Sequence, residues 1–276
     1  MYFVSETDML KAMRMALMDE VMKSGKVISN ENFTALYNFI GVLSEHFPTY
    51  SFSNNLQRQH RSRRSQSVLR MSTRARHVFI HMREFLNKHL PQMQVNASDW
   101  QQHFVNMERV FGNPFPTNAS WVHCKGTRPQ YRGYTCGLWT TFHALTVNAY
   151  MNSLERELQP LQILSSIKQW VDSFFGCLHC RQHFDRMTTK IFPMTERWIR
   201  QPSDMMMYLW RAHNIVNQRL HNDPTEDPQF EKYQFPAPFL CQSCQIGSDH
   251  FSKKEVHRFL MRFYGNIRAY QPDAQT

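Results

Sequence analysis

The sequence predicts an all-α protein, and three observations support this prediction. Apolar residues recur at the three- and four-residue spacing of one helix face in most segments. Val, Ile and Thr never alternate with polar residues for long enough to indicate a sheet. Many apolar positions are Met or Phe, which suits the packing of helix on helix. The chain of 276 residues is long enough for one large domain or two small ones.

Three helices are predicted in the first third of the chain. Ser5 can cap the first, because a Ser side chain accepts a hydrogen bond from a free N–H group at a helix start. The second ends before Pro48 and the third stops at Pro91, since proline cannot continue a helix. The predicted spans are 5–24, 30–46 and 76–90.

Residues 91–120 are expected to be rich in loops. Four residues that break regular structure fall there, namely Pro91, Gly112, Pro114 and Pro116. The character of the sequence changes after this stretch, so a domain boundary is predicted near 115–120. Five further helices are predicted beyond it, at 137–151, 160–175, 178–188, 203–220 and 253–266.

The formal net charge of +10 comes largely from one segment. No acidic residue occurs from Ser51 to Met82, and we interpret the segment as a solvated basic linker at about 51–75. A patch for nucleic acid or anionic membrane is the alternative, but aromatic residues for base stacking are missing there, so no nucleic-acid partner is expected. The arginines of this stretch are Arg58, Arg61, Arg63, Arg64, Arg70, Arg74 and Arg76.

Several features bear on the cellular compartment. No run of 18 or more apolar residues is present, so no transmembrane segment is predicted. The amino terminus lacks the basic and apolar regions that are typical of a signal peptide. An even number of cysteines and three glycosylation sequons, at Asn32, Asn96 and Asn118, favour a glycoprotein of the secretory pathway, in the Golgi or endoplasmic reticulum lumen or outside the cell.

The stretch FFGCLHCRQHF (174–184) contains a CxxC pair, Cys177 and Cys180, for which three interpretations are open. A zinc site could combine it with Cys241 and Cys244, but these pairs lie farther apart than in a zinc ribbon. A helix start and neighbouring imidazoles favour a thiolate, which suits disulfide exchange. A buried structural disulfide is the third interpretation.

Two predicted helices carry aromatic and polar residues on one face. Buried amides need hydrogen-bond partners, and a polar heterocycle would satisfy them. Near a CxxC pair, these faces favour a flat ring cofactor such as flavin, and the alternative is a face exposed to solvent. The faces consist of Trp210, His213, Asn214 and Asn217 on the helix 203–220, and of Trp139 and His143 on the helix 137–151.

Five separated motifs resemble the Erv/ALR flavin sulfhydryl oxidase domain, in the version of the quiescin sulfhydryl oxidases. They are CKGTRPQYRGYTCGLWTTFHALTVNAY (124–150), FFGCLHCRQHF (174–184), LWRAHNIVNQRL (209–220), EDPQFEKYQF (226–235) and LCQSC (240–244).

The resemblance implies an FAD-binding four-helix bundle at 119–270, followed by a tail at 271–276. Residues 1–118 resemble, less strongly, the degenerate, helix-rich Erv-like region that precedes this domain in the family. A single chain would then form a pseudo-dimer, so a monomer is expected.

The resemblance also implies an activity. The chain would be an FAD-dependent thiol oxidase that forms disulfides from dithiols and passes two electrons through the CxxC and the flavin to O₂, giving H₂O₂. Cys180 would lie next to the flavin, and Cys177 would exchange with the thiol donor. Cys124 and Cys136 would form a structural disulfide. The pair Cys241 and Cys244 would be an accessory disulfide.

No metal ion is implied by the resemblance. The positions that match FAD contacts are Arg132, Trp139, His143, His179, His183, Trp210, His213, Asn214, Val216, Asn217, Lys232 and Phe235.

Two departures from the family pattern affect these expectations. Position 235 is Phe where the family usually has Trp, and an aromatic contact should tolerate that change. The family's thioredoxin domains have no counterpart in these 276 residues, so we expect small dithiols as donors, or proteins through a thioredoxin-like domain. A flavin-binding or zinc-binding structural module with little turnover is the alternative.

Overall fold

A computed structural model describes residues 3–52, 66–153, 157–247 and 250–269. Within these ranges the chain is mostly helical, and every strand is only two or three residues long. The strands form four two-stranded pairs, none of which grows into a larger sheet. The predicted all-α class is confirmed.

The N-terminal half, residues 3–110, is built from four helices within its described part. Ser5 caps the first as predicted, since the backbone N–H of Asp8 donates to Ser5 Oγ at 3.2 Å. The elements are β1 (Val4–Ser5), α1 (Glu6–Arg14) with a π-helical continuation (Met15–Glu20), β2 (Val27–Ser29), α2 (Asn30–His46), β3 (Tyr50–Phe52), β4 (Gln66–Val68), α3 (Arg70–Asn87), β5 (Gln94–Asn96) and α4 (Ala97–Val110).

Helix α4 lies where the sequence was expected to form loops, so that expectation was wrong. Trp100 and Phe104 follow each other at helical spacing and are fully buried. The residues that break regular structure lie on either side of the helix, not inside it, so they mark its ends. Glu108 fixes the last turn by accepting hydrogen bonds from the Arg14 guanidinium on α1.

Helix α3 begins at Arg70, six residues before the predicted start at 76, so the carboxyl end of the expected linker is helical. Two arginines of the basic stretch therefore make defined contacts. Arg76 Nε donates to the carbonyl of Ser44, and Arg74 Nη1 donates to the carbonyl of Gly112. Arg58, Arg61, Arg63 and Arg64 lie outside the described residues.

The C-terminal half, residues 133–269, is arranged around helix α5. None of the helices in the described ranges is long and apolar enough to cross a membrane. The elements are α5 (Gly133–Asn152), α6 (Pro160–Phe174), α7 (Leu178–Arg186) with a π-helical continuation (Met187–Ile191), α8 (Pro202–Leu220), a 3₁₀ turn (Gln242–Cys244), β6 (Gln245–Ile246), β7 (His250–Phe251), α9 (Lys253–Tyr264) and β8 (Ile267–Arg268).

The two halves share one apolar core. Helix α1 packs along α5, and α2 packs along α6, while α5 also contacts α8 and α9. The chain end returns to the first half, because β8 pairs in parallel with β1. Removing either half would therefore expose a large apolar surface to water, which is unfavourable in proportion to the area exposed.

A buried carboxylate links α1 to the segment that precedes α5. Asp8 is 1% exposed and accepts hydrogen bonds from the backbone N–H groups of Val122, His123 and Cys124 at 2.7, 2.8 and 3.0 Å. Hydrogen bonds to an ionised acceptor are stronger than those between neutral groups. Asp8 therefore holds the loop that carries Cys124 against the N-terminal half.

We predict that Asp8→Ala lowers the free energy of unfolding by about 3 kcal/mol, because three backbone donors lose their acceptor inside the protein. Urea unfolding followed by circular dichroism would measure the change. Glu31→Ala is the matched control, since Glu31 is exposed in the first turn of α2 and should cost a few tenths of a kcal/mol. Equal effects of the two substitutions would contradict the role given to Asp8.

Candidate active site

Cys177 and Cys180 form a disulfide at the start of helix α7. Cys177 caps the helix and is exposed, whereas Cys180 is partly buried. The backbone N–H of Cys180 donates to Cys177 Sγ at 3.2 Å. The positive end of the helix dipole favours negative charge here, so the reduced pair would form a thiolate more readily than free cysteine does.

Cys180 lies on the wall of a cavity of about 110 Å³, which is mostly apolar. The cavity brings together four of the predicted site residues, Cys180, Trp139, His183 and Val216, which come from three different helices. Cys177 is not part of the wall, so the two sulfurs differ in environment. The full lining is Thr135, Leu138, Trp139, Phe142, Val171, Phe175, Cys180, His183, Phe184, Val216, Arg219 and Leu220.

A row of stacked rings extends from the cavity into the core. Trp139 and His213 stack with their ring centroids 4.0 Å apart and their planes 5° from parallel. His143 Nε2 lies 3.0 Å from His213 Nδ1, and the His143 ring stacks on Tyr264 at 4.6 Å. The predicted aromatic and imidazole faces of α5 and α8 therefore meet each other.

Both imidazoles of this row are neutral at physiological pH. Burial lowers the pKa of His143 to about 3, since the charged form loses its hydration. Burial also lowers the pKa of His213 well below its ordinary value, and the neighbouring His143 and Lys232 lower it further. Nδ1 of His143 is buried and has no hydrogen-bond partner within the described structure.

The polar side chains of α8 bind the backbone of the segment 233–235. The side-chain amide of Asn214 donates to the Phe235 carbonyl at 2.8 Å and accepts from the Phe235 N–H at 2.7 Å. Asn217 donates to the Tyr233 carbonyl at 3.0 Å, and Trp210 Nε1 donates to the Phe235 carbonyl at 2.5 Å.

The amides of α8 thus find partners within the chain. These buried amides therefore do not by themselves indicate a heterocycle. Their assignment as cofactor contacts stays a prediction that depends on the family resemblance.

Two cations, Arg132 and Lys232, lie near each other, and Lys232 lies near enough to His213 to lower its pKa. Arg132, the residue before α5, donates from Nη2 to the His123 carbonyl at 2.6 Å, and its guanidinium lies 4.0 Å from the centre of the Phe230 ring. Burial lowers the pKa of Arg132 and of Lys232, and the charge of Arg132 lowers that of Lys232 further. Arg132 Nε is buried without an acceptor in the described structure.

His179 and Phe235 are among the predicted contact residues that do not line the cavity. His179 is exposed, and its ring meets the His183 ring edge to face at 4.3 Å. The Phe235 ring packs against Phe259 and Phe263 of α9, so its position is fixed by core packing.

The other four cysteines also form disulfides. Cys124 is bonded to Cys136, and Cys241 to Cys244. Cys241 and Cys244 are only 6% and 0% exposed, so neither sulfur is open to a thiol donor. The zinc interpretation finds no support, because the described residues contain no group of three or more His, Cys, Asp or Glu side chains that could hold a metal ion.

Sequence reasoning missed most of the apolar cavity wall. Thr135, Leu138 and Phe142 share the face of α5 that carries Trp139, at the spacing of successive helical turns. That spacing was present in the sequence and could have identified them. Tyr264 of α9 had no such signal, because its contact with His143 joins residues far apart in the chain.

We predict that acidification below pH 6.5 destabilises the protein through the buried imidazoles. The unfolded chain binds a proton on His143 near pH 6.5, whereas the folded chain does so only near pH 3. Unfolding therefore takes up protons in this range, and stability falls by about 1.4 kcal/mol for each pH unit and each such imidazole.

Melting temperatures between pH 7 and pH 4 would measure this effect in the protein and in two variants. His143→Phe keeps an aromatic ring in the stack and should make the melting temperature depend less on pH. His250→Asn, which replaces an exposed imidazole, should leave this dependence unchanged. A dependence that His143→Phe does not alter would contradict the assignment of a neutral, buried imidazole.

Comparisons with known proteins agree with this geometry. The family model described as Erv1 / Alr family matches residues 136–236. "Sulfhydryl oxidase 1" of Gallus gallus is 43% identical over 142 residues, which cover 51% of this chain and 18% of that protein. "Sulfhydryl oxidase 2" of Homo sapiens is 34% identical over 168 residues, which cover 58% of this chain and 24% of that protein.

A solved structure matches nearly the whole chain. It is described as "Sulfhydryl Oxidase Fragment of Human QSOX1", with a TM-score of 0.77 and 26% sequence identity over 97% of this chain and 98% of that one. The chain spans less than a third of the length of the sulfhydryl oxidases compared above. Residues 136–236, which contain the CxxC and the segment 233–235, form a domain of the Erv/ALR family, and the chain is similar to sulfhydryl oxidases 1 and 2.

Proposed function

We propose that the chain is a flavin-linked thiol oxidase, which converts a dithiol and O₂ into a disulfide and H₂O₂. The observation on which the proposal depends is the unequal exposure of the Cys177–Cys180 disulfide. One sulfur faces solvent and can meet a thiol donor, while the other borders an apolar cavity between helices. A structural disulfide would have no need of this arrangement.

The residues around the cavity fit FAD. A flat ring suits the apolar walls beside Cys180, and the buried nitrogens His143 Nδ1 and Arg132 Nε have no partner in the described structure. Arg132 and Lys232 supply positive charge for a pyrophosphate. The cavity of about 110 Å³ is smaller than pockets that enclose a whole ligand, so it would admit part of the ring system only.

The residues that would hold FAD are therefore those of the cavity wall, the ring row and the two cations. When bound, FAD accepts two electrons from the reduced cysteine pair and passes them to O₂. The remaining predicted contact residues would support the site indirectly, by fixing nearby backbone and packing. They are His179, Asn214, Asn217 and Phe235.

The first half of the reaction takes place on the chain's own sulfurs. A donor thiolate attacks Cys177 Sγ, the bond between Cys177 and Cys180 breaks, and Cys180 leaves as a thiolate. The second donor thiolate then attacks the donor sulfur of the mixed disulfide and releases Cys177. The donor leaves as a disulfide, and the two electrons remain on the reduced cysteine pair.

His183 is the imidazole placed to accept or donate a proton at Cys180, because both side chains line the cavity. Partial burial lowers the pKa of His183, and the charges of Arg219, His179 and Arg186 lower it further. The ring is therefore largely neutral at pH 7 and can accept a proton from Cys180 whenever that sulfur is protonated, which returns it to the thiolate.

The remaining disulfides have structural roles in this proposal. Cys124–Cys136 closes the loop before α5, and Cys241–Cys244 is too deeply buried to pass electrons from a donor. Three disulfides and the sequons support a place in the secretory pathway. The shared core of the two halves supports a monomer.

Oxygen uptake with dithiothreitol tests the proposal. Cys177→Ser and Cys180→Ser should each abolish it, because the exchange needs both sulfurs. The double variant Cys241→Ser/Cys244→Ser is the matched control, and it should retain most of the rate at low temperature while its melting temperature falls. Uptake that survives the loss of Cys177 or Cys180 would contradict the proposal.

Thiol labelling of the same variants tests the two roles. At about pH 10, where the thiols of both variants are ionised, the exposed Cys177 that remains in Cys180→Ser should react rapidly with a disulfide reagent. In Cys177→Ser the remaining Cys180 borders the cavity and should react at least several-fold more slowly. The opposite order would reverse the assignment of the two sulfurs.

A further inference from the structure

A buried carboxylate from the N-terminal half lies beside the exposed end of the CxxC. Glu20, at the end of the π-helical continuation of α1, is 8% exposed, and its Oε2 has no hydrogen-bond partner in the described structure. Its Oε1 lies 3.4 Å from Nζ of Lys23, which is largely exposed. A buried, unpartnered carboxylate oxygen is unfavourable for folding, and nothing in the packing of α1 accounts for it.

Gly176 is what allows Glu20 to come this close. It directly precedes Cys177, and a β-carbon on it would lie 2.7 Å from Glu20 Oε2 and 3.3 Å from Oε1. Any other residue at this position would force the carboxylate to move. The negative charge of Glu20 is therefore held against Gly176, the residue that precedes Cys177.

Tyr134 of α5 shares this buried environment without neutralising it. Its hydroxyl is buried and unpartnered in the described structure, and its ring lies 6.2 Å from that of Phe175, which precedes Gly176. Burial raises the pKa of Tyr134, and the charges of Glu20 and Asp19 raise it further. The phenol therefore remains protonated and leaves the charge of Glu20 in place.

Other charged groups around the CxxC are held by hydrogen bonds or ion pairs, or lie towards Cys180. Lys168 of α6 binds both Asp172 and Asp185, and Arg181 donates to the carbonyls of Asp172 and Ser173. The cationic and imidazole groups lie on α7 and on α8, where Arg219 lines the cavity with Cys180. These groups are His179, His183, Arg186 and Arg219. The acidic side chain of Asp223 lies beyond the end of α8.

We propose that Glu20 determines which sulfur of the reduced pair carries the negative charge, by disfavouring a thiolate at Cys177. A nearby like charge raises the pKa of a thiol, while the positive charge of Arg219 favours ionisation of Cys180. Exchange with a dithiol then leaves Cys177 protonated and Cys180 as the thiolate. One donor proton stays on Cys177, the other goes to solvent, and two electrons are transferred.

The statement about exchange with a dithiol rests on the proposed oxidase function. The effect of Glu20 on the ionisation of Cys177 can be measured without it. The N-terminal half would then contribute a positioning residue to the site, although it contains no cysteine of its own.

The test measures the alkylation rate of Cys177 by iodoacetamide as a function of pH, in the Cys180→Ser background. Glu20→Gln keeps the size of the side chain and removes its charge. It should move the profile to lower pH and make alkylation at pH 7 about threefold faster, since a higher thiolate fraction is partly offset by lower nucleophilicity. Asp19→Asn is the matched control, because Asp19 is the exposed neighbour and undergoes the same change of charge.

A second variant keeps the test valid if Glu20→Gln does not fold. Gly176→Ala should displace the carboxylate without removing it, and should shift the profile in the same direction by a smaller amount. The double variant Glu20→Gln/Gly176→Ala should shift it no further than Glu20→Gln does.

An unchanged profile in Glu20→Gln, or an equal shift in Asp19→Asn, would overturn the proposal. If neither Glu20 variant folds, an unchanged profile in Gly176→Ala would overturn it as well. Absence of oxygen uptake together with the expected alkylation shift would contradict the oxidase function and leave the role of Glu20 standing.

Discussion

Helix α5 is buried along most of its length, and this burial constrains the elements around it. A helix covered on all sides must satisfy its polar groups internally, and Thr141 and Thr146 do so by donating to carbonyls of their own helix. The approach of α1 is set by Gly137, where a β-carbon would lie 2.6 Å from that of Ala12. The close approach of the two halves therefore depends on the absence of a side chain at Gly137.

The same helix connects the two halves to the chemistry of the site. One face of α5 places Trp139 and His143 in the ring row and forms part of the cavity wall. Tyr134, at the start of the helix, lies close to the charge of Glu20. The N-terminal half supplies Asp8, which holds the loop before α5, and Glu20, which lies beside the CxxC. We infer that a half without cysteines is part of the site because it holds the loop before α5 through Asp8 and reaches the residue before the CxxC through Glu20.

Local features of the site could be predicted from the sequence, because they depend on helical spacing. The CxxC at a helix start and the faces with Trp139 and His213 are features of this kind. Helix α4 is hard to predict because the residues that break regular structure on both sides of it mark its ends and look like breakers of the whole stretch. The partners of Asn214 and the nearness of Glu20 to Gly176 could not be predicted, since each is a contact between segments far apart in the chain.

The visible spectrum of the purified protein tests the central claim most directly, before and after addition of dithiothreitol without oxygen. We expect the yellow absorption of bound flavin, its loss on reduction, and its return on admission of air. In Cys177→Ser the band should be present but should persist, because the exposed sulfur that receives the donor's electrons is gone. A folded protein without colour, or a band that dithiothreitol bleaches equally in both proteins, would contradict the account.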